Sequence, residues 1–469
     1  MQLVITPEES ARLDHESAVP VETLMERAGL GVALAAVRQG AGYGSRVVVL
    51  AGKGNNGGDG YVAARYLAAR GCAVTVSALD PPATLASQQA ARRAEKVGVR
   101  LTGFGEPVGA DIVIDALFGS GFRGPLPSQV AAWTRHDAPV VSIDVPSGLD
   151  AGSGLVAGEA FTAATTVSFH ALKLGHILGE GPERCGIVEV VDIGLVGGDA
   201  GLLICDEADA PRPSRARTTH KWSAGSVAVV GGSPGLTGAP LLAGTAALNM
   251  GAGSVSLICP RALQPTYAAA SAQLMTEGVG SGAHFTGEDV PAVLAATDRF
   301  DVLVVGPGLG PDRSGFVSGL LEGRAGRLLV DADALNALDG PGLLANRTGP
   351  TVITPHAGEF ERLTGEKADY RAAVELPDAA GLVVVLKGNP TFVLGSERWV
   401  VSTGGPELAT IGTGDVLAGM IGALWARGLD GDAAARSAAF WHGRAGAGLA
   451  ATRSVTAESL ASEVGRYAW

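Results

Sequence analysis

Two glycine-rich turns, one near each end of the chain, set an aspartate beside backbone able to bind an anion. The first is Gly54-Asn55-Asn56-Gly57-Gly58-Asp59-Gly60 and the second is Gly412-Thr413-Gly414-Asp415. Each follows a strand-like run and opens an apolar, helix-like one. In that setting N–H groups face a phosphate while a nearby carboxylate does chemistry. Two such turns predict two active sites in one polypeptide.

Around the first turn, Asn55 and Asn56 offer amide donors and acceptors, and Gly57 and Gly58 open backbone conformations closed to other residues. Asp59 suits either a helix cap or a contact to a hydroxyl such as a ribose. Asp115 ends an apolar run and so sits at the rim of a sheet. The loop Gly119-Ser120-Gly121-Phe122-Arg123-Gly124-Pro125 combines flexible backbone with one cation for phosphate. Asp144 ends the next run, before Pro146-Ser147-Gly148, and suits either a turn former or a proton shuttle. Asn56, Asp115 and Ser147 supply hard oxygen donors with a single carboxylate, which fits a weakly bound monovalent cation better than zinc.

The second half carries its own strand-end series. Gly231–Ala239 is a glycine-rich loop without the Gly-Lys-Ser/Thr ending of a Walker motif. Val305–Gly310 reads Val-Gly-Pro-Gly-Leu-Gly, Asp331–Asn336 places two carboxylates and an amide together, and Thr354–Glu359 supplies His356. Lys387–Thr391 adds a cation and a hydroxyl. At Gly412–Asp415 the N–H groups of a helix start can stabilise a transferring phosphoryl group, and Asp415 can take the proton of an attacking hydroxyl. Helix capping alone would explain the acid but not the Gly-Thr-Gly before it.

The elements that must position these residues alternate. Runs at 46–51, 72–79, 111–115, 139–144 and 188–193 read as strands, and 61–70 and 83–97 as helices. A second series has strands at 226–230, 301–305, 327–331, 351–354 and 382–386, then helices at 416–427 and 432–452. This rhythm predicts parallel sheets with helices on both faces, and ligands at the carboxyl ends of the strands. The fold class is α/β: a Rossmann-like three-layer sandwich over 1–205, a linker over 206–219 and a second α/β domain over 220–469. Arg212, Arg215 and Arg217 in the linker read as a solvated connector. The two halves have different loop motifs and no internal repeat.

At 469 residues the chain is long enough for about two or three domains. A formal charge of −12 argues against a broad nucleic-acid surface. No run reads as a signal peptide or a membrane span. Cys72, Cys185, Cys205 and Cys259 are scattered without Cys-x-x-Cys spacing, so they read as reduced thiols of a cytoplasmic protein.

Taken in order, Gly52–Gly60, Asp115 with its Leu117-Phe118-Gly119, and Ser142–Gly148 resemble NAD(P)H-hydrate epimerase over about residues 1–205. The resemblance implies binding of NADHX and NADPHX, the 6-hydroxy hydrates of NADH and NADPH, by Asn55–Asp59, Gly119–Pro125 and Asp144. It also implies a potassium ion on Asn56, Asp115 and Ser147, and Asp144 as the acid/base that interconverts the C6 epimers. Iminium-like and ring-opened routes both remain open.

The motifs of the second half resemble the ribokinase-like fold, specifically ADP-dependent NAD(P)H-hydrate dehydratase, over about residues 215–469. They are His220-Lys221, Gly231-Gly232-Ser233 with Gly238-Ala239, Gly306–Gly310, Asp331–Asn336, His356–Glu359, Lys387–Thr391 and Gly412–Gly419. By that resemblance Ala239, Gly308, His356 and Asp415 contact the hydrate. Lys387, Gly388, Asn389, Pro390, Thr391 and Gly414 contact the adenine nucleotide, with magnesium beside it, and Asp415 activates the hydroxyl. Phosphorylation of the (S)-hydrate by ADP and loss of phosphate would return NAD(P)H and AMP. Trp222, Asn249-Met250 and Gln273-Leu274-Met275 depart from the family pattern without removing a catalytic group. A homo-oligomer is expected. The alternative is a ribokinase-like sugar or vitamin kinase with a nucleotide-binding accessory domain.

Overall fold

The computed structural model describes residues 2–198, 201–220, 223–376 and 382–469. Lys221 and Trp222 lie outside them. The chain divides into two compact units, Gln2–Leu202 and Leu203–Trp469. Among the described residues, no helix is long and apolar enough to cross a membrane.

The N-terminal unit is built on a parallel sheet ordered Arg100–Gly103, Ala73–Ala78, Arg46–Ala51, Ile112–Ala116, Val140–Ile143, Thr165–Phe169 and Ile187–Val191. Its central strands are Val/Ile-rich and buried on both faces, as parallel strands covered by helices must be. The order reverses between Arg46–Ala51 and Ile112–Ala116. The loops that leave these two strands therefore diverge and open a crevice at their carboxyl ends.

The first glycine-rich segment is not a turn ahead of a helix, as its sequence predicts. It forms the first turns of helix Asn55–Ala69, with Gly54 at the N-cap. None of Gly57, Gly58 and Gly60 has a positive φ. Close packing requires them instead: a Cβ on Gly57 would lie 1.9 Å from the Gly52 carbonyl oxygen, and one on Gly60 would lie 2.6 Å from the Ala116 Cβ. Asp59 falls in the second turn and caps nothing.

The C-terminal unit has a sheet running Met275–Val279, Ser254–Pro260, Ser226–Val230, Val302–Val305, Arg327–Val330, Thr351–Ile353 and Leu382–Leu386, all parallel. Thr391–Leu394 and Arg398–Val401 then add antiparallel. Helix Thr413–Ala426 presses onto helix Gly238–Asn249 so closely that a Cβ on Gly419 would meet the Ala243 carbonyl oxygen at 2.0 Å. The order again reverses at one point, between Ser226–Val230 and Val302–Val305, and the glycine loops after these strands meet there.

The segment 206–219 is exposed over most of its length, Arg217 included, as a solvated connector would be, but some of its residues are anchored. It lies against the C-terminal unit. The Arg212 guanidinium stacks 4.1 Å from the Trp441 ring centre, Arg215 donates to the Gly251 carbonyl at 2.6 Å, and Trp441 Nε1 donates to the Ala210 carbonyl at 3.0 Å. Ala210 is buried in the core, and Trp441 gains cation–π cover from Arg212. All four cysteines are buried and free. Burial pushes the thiols of Cys185 and Cys205 up to about 12, so they are poor nucleophiles.

Candidate active sites

A cavity of about 980 Å³ opens at the reversal point of the N-terminal sheet. Asn55, Asn56, Asp59, Gly119, Ser120, Gly121, Phe122 and Asp144 line it. Gly57 and Gly58 face inward to packing contacts with Gly52 and Met25. Arg123, Gly124 and Pro125 are not among its lining residues. Arg123 instead donates to the Ser120 and Phe122 carbonyls and pairs with Asp150 at 3.1 Å.

Asp144 follows its strand with φ +66°, a conformation that is costly for a non-glycine residue and collects at functional sites. Its Oδ2 accepts the Ser120 N–H at 2.7 Å and its Oδ1 lies 2.8 Å from Lys173 Nζ. Lys173 is 1% exposed and also donates to Ser168 Oγ and the Phe169 carbonyl, both at 3.1 Å. Burial pushes the Asp144 carboxyl up, but the Lys173 ammonium and the Ser120 N–H outweigh it and hold the group below the usual carboxylate range. His176 fixes the backbone: its Nε2 lies 2.8 Å from the Asp144 carbonyl oxygen and its Nδ1 accepts the Lys173 N–H. Burial lowers this imidazole to about 4, so it is a neutral strut.

Asp115 is fully buried and has no ion-pair partner among the described residues. It accepts the Ser147 hydroxyl at 2.6 Å, the Ser147 N–H at 2.8 Å and the Ser142 hydroxyl at 3.0 Å. Burial still raises its pKa. Asn56 faces Gly119, as Asp144 does: a Cβ on Gly119 would lie 3.4 Å from Asn56 Oδ1 and 3.1 Å from Asp144 Oδ2. The buried Asn56 Nδ2 has no partner. Turning the amide over would present an oxygen at that point. One uncompensated carboxylate with neutral oxygens around it is a donor set for a monovalent cation.

In the C-terminal unit, Gly412 caps helix Thr413–Ala426 with φ +90°, and Asp415 stands in its first turn. Lys387 Nζ would lie 3.5 Å from a Cβ on Gly414, so the ammonium sits over the helix start. The same ammonium is held by Asp331 Oδ1 at 2.9 Å and Glu359 Oε2 at 3.5 Å, and Thr354 Oγ1 donates to Asp331 at 2.6 Å. Burial, then the charge of Asp331, lifts the Asp415 carboxyl to about 7, with Lys387 opposing them. That places a base near neutrality, where proton transfer is most effective. His442 Nε2 meets the Thr413 carbonyl oxygen at 2.9 Å and steadies the turn.

His356 caps helix Ala357–Thr364 through Nδ1, which accepts the Gly358 N–H at 3.0 Å, and its ring remains half exposed. Gly308 has φ +61°, and a Cβ there would lie 2.3 Å from the Leu236 carbonyl oxygen. Ser233 Oγ donates to the Gly308 carbonyl, locking the two glycine loops together, and Ala239 is only partly buried at the start of its helix. Gly388 and Asn389 are exposed in the turn after Lys387, Pro390 follows a cis peptide, and Thr391 Oγ1 closes the turn onto the Gly388 carbonyl at 3.0 Å. Among the described residues, no three His, Cys, Asp or Glu side chains cluster to hold a metal. Magnesium in phosphoryl transfer needs only one or two carboxylates besides the phosphates, and Asp415 stands near enough to Asp331 for their charges to interact.

With this geometry in place, comparison with known proteins is decisive. A bifunctional NAD(P)H-hydrate repair enzyme of Salinibacter ruber is 38% identical over 97% of this chain and 93% of its own length. The chain belongs to the bifunctional NAD(P)H-hydrate repair enzymes. The counterpart from Mycobacterium tuberculosis is 39% identical over 89% of this chain and 88% of its own. Residues 227–466 match the NAD(P)H-hydrate dehydratase family, and residues 21–175 match the family described as YjeF-related protein N-terminus. A ribokinase-like superfamily protein from Enterococcus faecalis V583 shares the fold of the second unit, with a TM-score of 0.51 at 24% identity, over 58% of this chain and 97% of that one. Membership of the repair family sets aside the reading as a sugar or vitamin kinase.

Sequence reasoning missed Lys173 and His176, the partners of Asp144. One signal was available: Lys173 stands between Leu172 and Leu174 in an otherwise apolar stretch, where a lysine needs a counter-charge. It also missed that Asp331 and Glu359 converge on Lys387.

Proposed function

We propose that the N-terminal unit interconverts the (R) and (S) hydrates of NADH and NADPH. The C-terminal unit then dehydrates the (S) form at the expense of ADP. The observation that carries this reading is the opposed tuning of two aspartates: Asp144 is held ionised by Lys173, and Asp415 is lifted to about 7 at a helix start beside Lys387.

In the first unit Asn55, Asn56 and the Gly119–Phe122 loop hold the hydrate against Asp144, which handles the proton of the C6 hydroxyl. Potassium fits Asn56, Asp115 and Ser147, and would supply the positive charge that the buried Asp115 lacks. In the second unit Asp415 takes the proton of the C6 hydroxyl, and the hydroxyl oxygen attacks the β-phosphorus of ADP as AMP departs. Gly414 N–H and Lys387 face the phosphates. Phosphate then leaves C6 with a proton lost from the ring, and the double bond returns. Magnesium supplies charge neutralisation at the phosphates when bound. Ala239, Gly308 and His356 surround the nicotinamide end, and Gly388–Thr391 the adenine nucleotide. The protein works in the cytoplasm as a homo-oligomer.

The test is stoichiometry. Pure (S)-hydrate of NADH with ADP should yield NADH, AMP and phosphate in equal amounts. AMP formed without return of NADH would overturn the reading.

A further inference from the structure

The cavity that holds Asp144 contains a second carboxyl with the opposite surroundings. Asp59 lines the same space and is only 8% exposed. Among the described residues no hydrogen bond and no cation reaches its side chain, whereas Asp144 has Lys173 and the Ser120 N–H. Helix capping does not explain Asp59, which lies beyond the first turn of helix Asn55–Ala69. It lies one turn beyond Asn56, on the same face of the helix. A buried carboxylate without a partner is too costly to keep ionised, so Asp59 retains its proton. Burial first, then the charges of Asp144 and Asp14, push it well above its ordinary value. The titratable groups lining this cavity are Asp14, His15, Lys53, Asp80, Asp144 and Lys173. A neutral acid and an ionised carboxylate in one cavity are the signature of an acid–base pair.

We propose that Asp59 is the general acid of the N-terminal site. This rests on the epimerase reading above. Asp59 gives its proton to the C6 hydroxyl, the C6–O bond breaks, and its electron pair leaves with the oxygen as water. The lone pair of the ring nitrogen forms C6=N. Water adds to the other face of C6 and passes its extra proton to the Asp144 carboxylate. Return of that proton from Asp144 to Asp59 through solvent resets the pair.

The test follows epimerisation of resolved (R)-hydrate, corrected for the uncatalysed rate, across pH. The wild-type kcat/KM should fall as pH rises through the raised pKa of Asp59. Asp59→Asn keeps the size of the side chain but cannot give up a proton. It should lose about 100-fold or more in rate and lose the alkaline fall as well. Asp59→Glu, which restores the acid, should recover part of the rate and the alkaline fall. Folding of the variants is read from their thermal melts. Asp59→Asn turning over at the wild-type rate, or keeping the alkaline fall, would overturn the assignment. A wild-type protein that does not epimerise the hydrate would overturn the underlying reading as well, and only that result would do so.

Discussion

Lys173 Nζ lies 2.8 Å from Asp144 Oδ1, and the lysine is 1% exposed. A strand-end acid of ambiguous role thereby becomes a carboxylate fixed in its ionised form. Lys173→Met removes the charge and keeps the length. One-sided loss of a buried pair costs about 3–5 kcal/mol, readable as a lower urea midpoint for the N-terminal unit. The sign with pH is definite. Because the pKa of Asp144 is lowered on folding, the pair stabilises above the unfolded carboxylate value and the gain is lost as pH falls through the folded one. In the variant that acid-side loss should vanish, and the acid limb of epimerisation should move to higher pH.

Asp415→Asn should reduce ADP-dependent dehydration by about 10²–10⁴-fold. In the wild type, kcat/KM for this reaction should rise through about pH 7, as Asp415 ionises. A pH profile flat across that range would remove Asp415 as the base.

The same substitution should stabilise the C-terminal unit. Asp415 has a raised pKa in the folded state, so its contribution is fully present below the unfolded value of 3.8 and is lost as pH climbs through about 7. Asparagine escapes that loss. The gain above pH 7 should be on the order of 1–4 kcal/mol, since each tenfold change in proton affinity on folding is worth about 1.4 kcal/mol at most. Thermal melts at acid and alkaline pH would show it.

Gly57→Ala sets a Cβ 1.9 Å from the Gly52 carbonyl oxygen, where neither backbone can yield cheaply. It should destabilise the N-terminal unit by about 1–3 kcal/mol or more. Gly54→Ala meets nothing within 4 Å and should cost under about 1 kcal/mol in the same melt.

The alternating strands were legible because a parallel sheet buried on both faces leaves unbroken Val/Leu runs such as Val47–Leu50 and Leu328–Val330. The strand-end motifs were legible for a related reason: each motif begins where its run stops. Two kinds of information were hidden. Asn55–Gly60 looks like a loop because its glycines are read as backbone freedom, while here they permit a helix to lie against the sheet. Asp144 follows strand Val140–Ile143, while Lys173 lies in the short strand Leu172–Lys173 that pairs with Gln2–Ile5, so the two meet through the tertiary fold and no local pattern encodes it. The segment 206–219 looked like a linker from its Pro and Arg content. Its docking depends on Trp441, a partner far along the chain.

One chain performs both steps. The most direct measurement incubates an equal mixture of (R)- and (S)-hydrate with ADP and resolves both epimers over time, faster than they interconvert unaided. Conversion to NAD(P)H should run to completion, with both epimers disappearing. Conversion that stops at half, with the (R) form persisting, would contradict it.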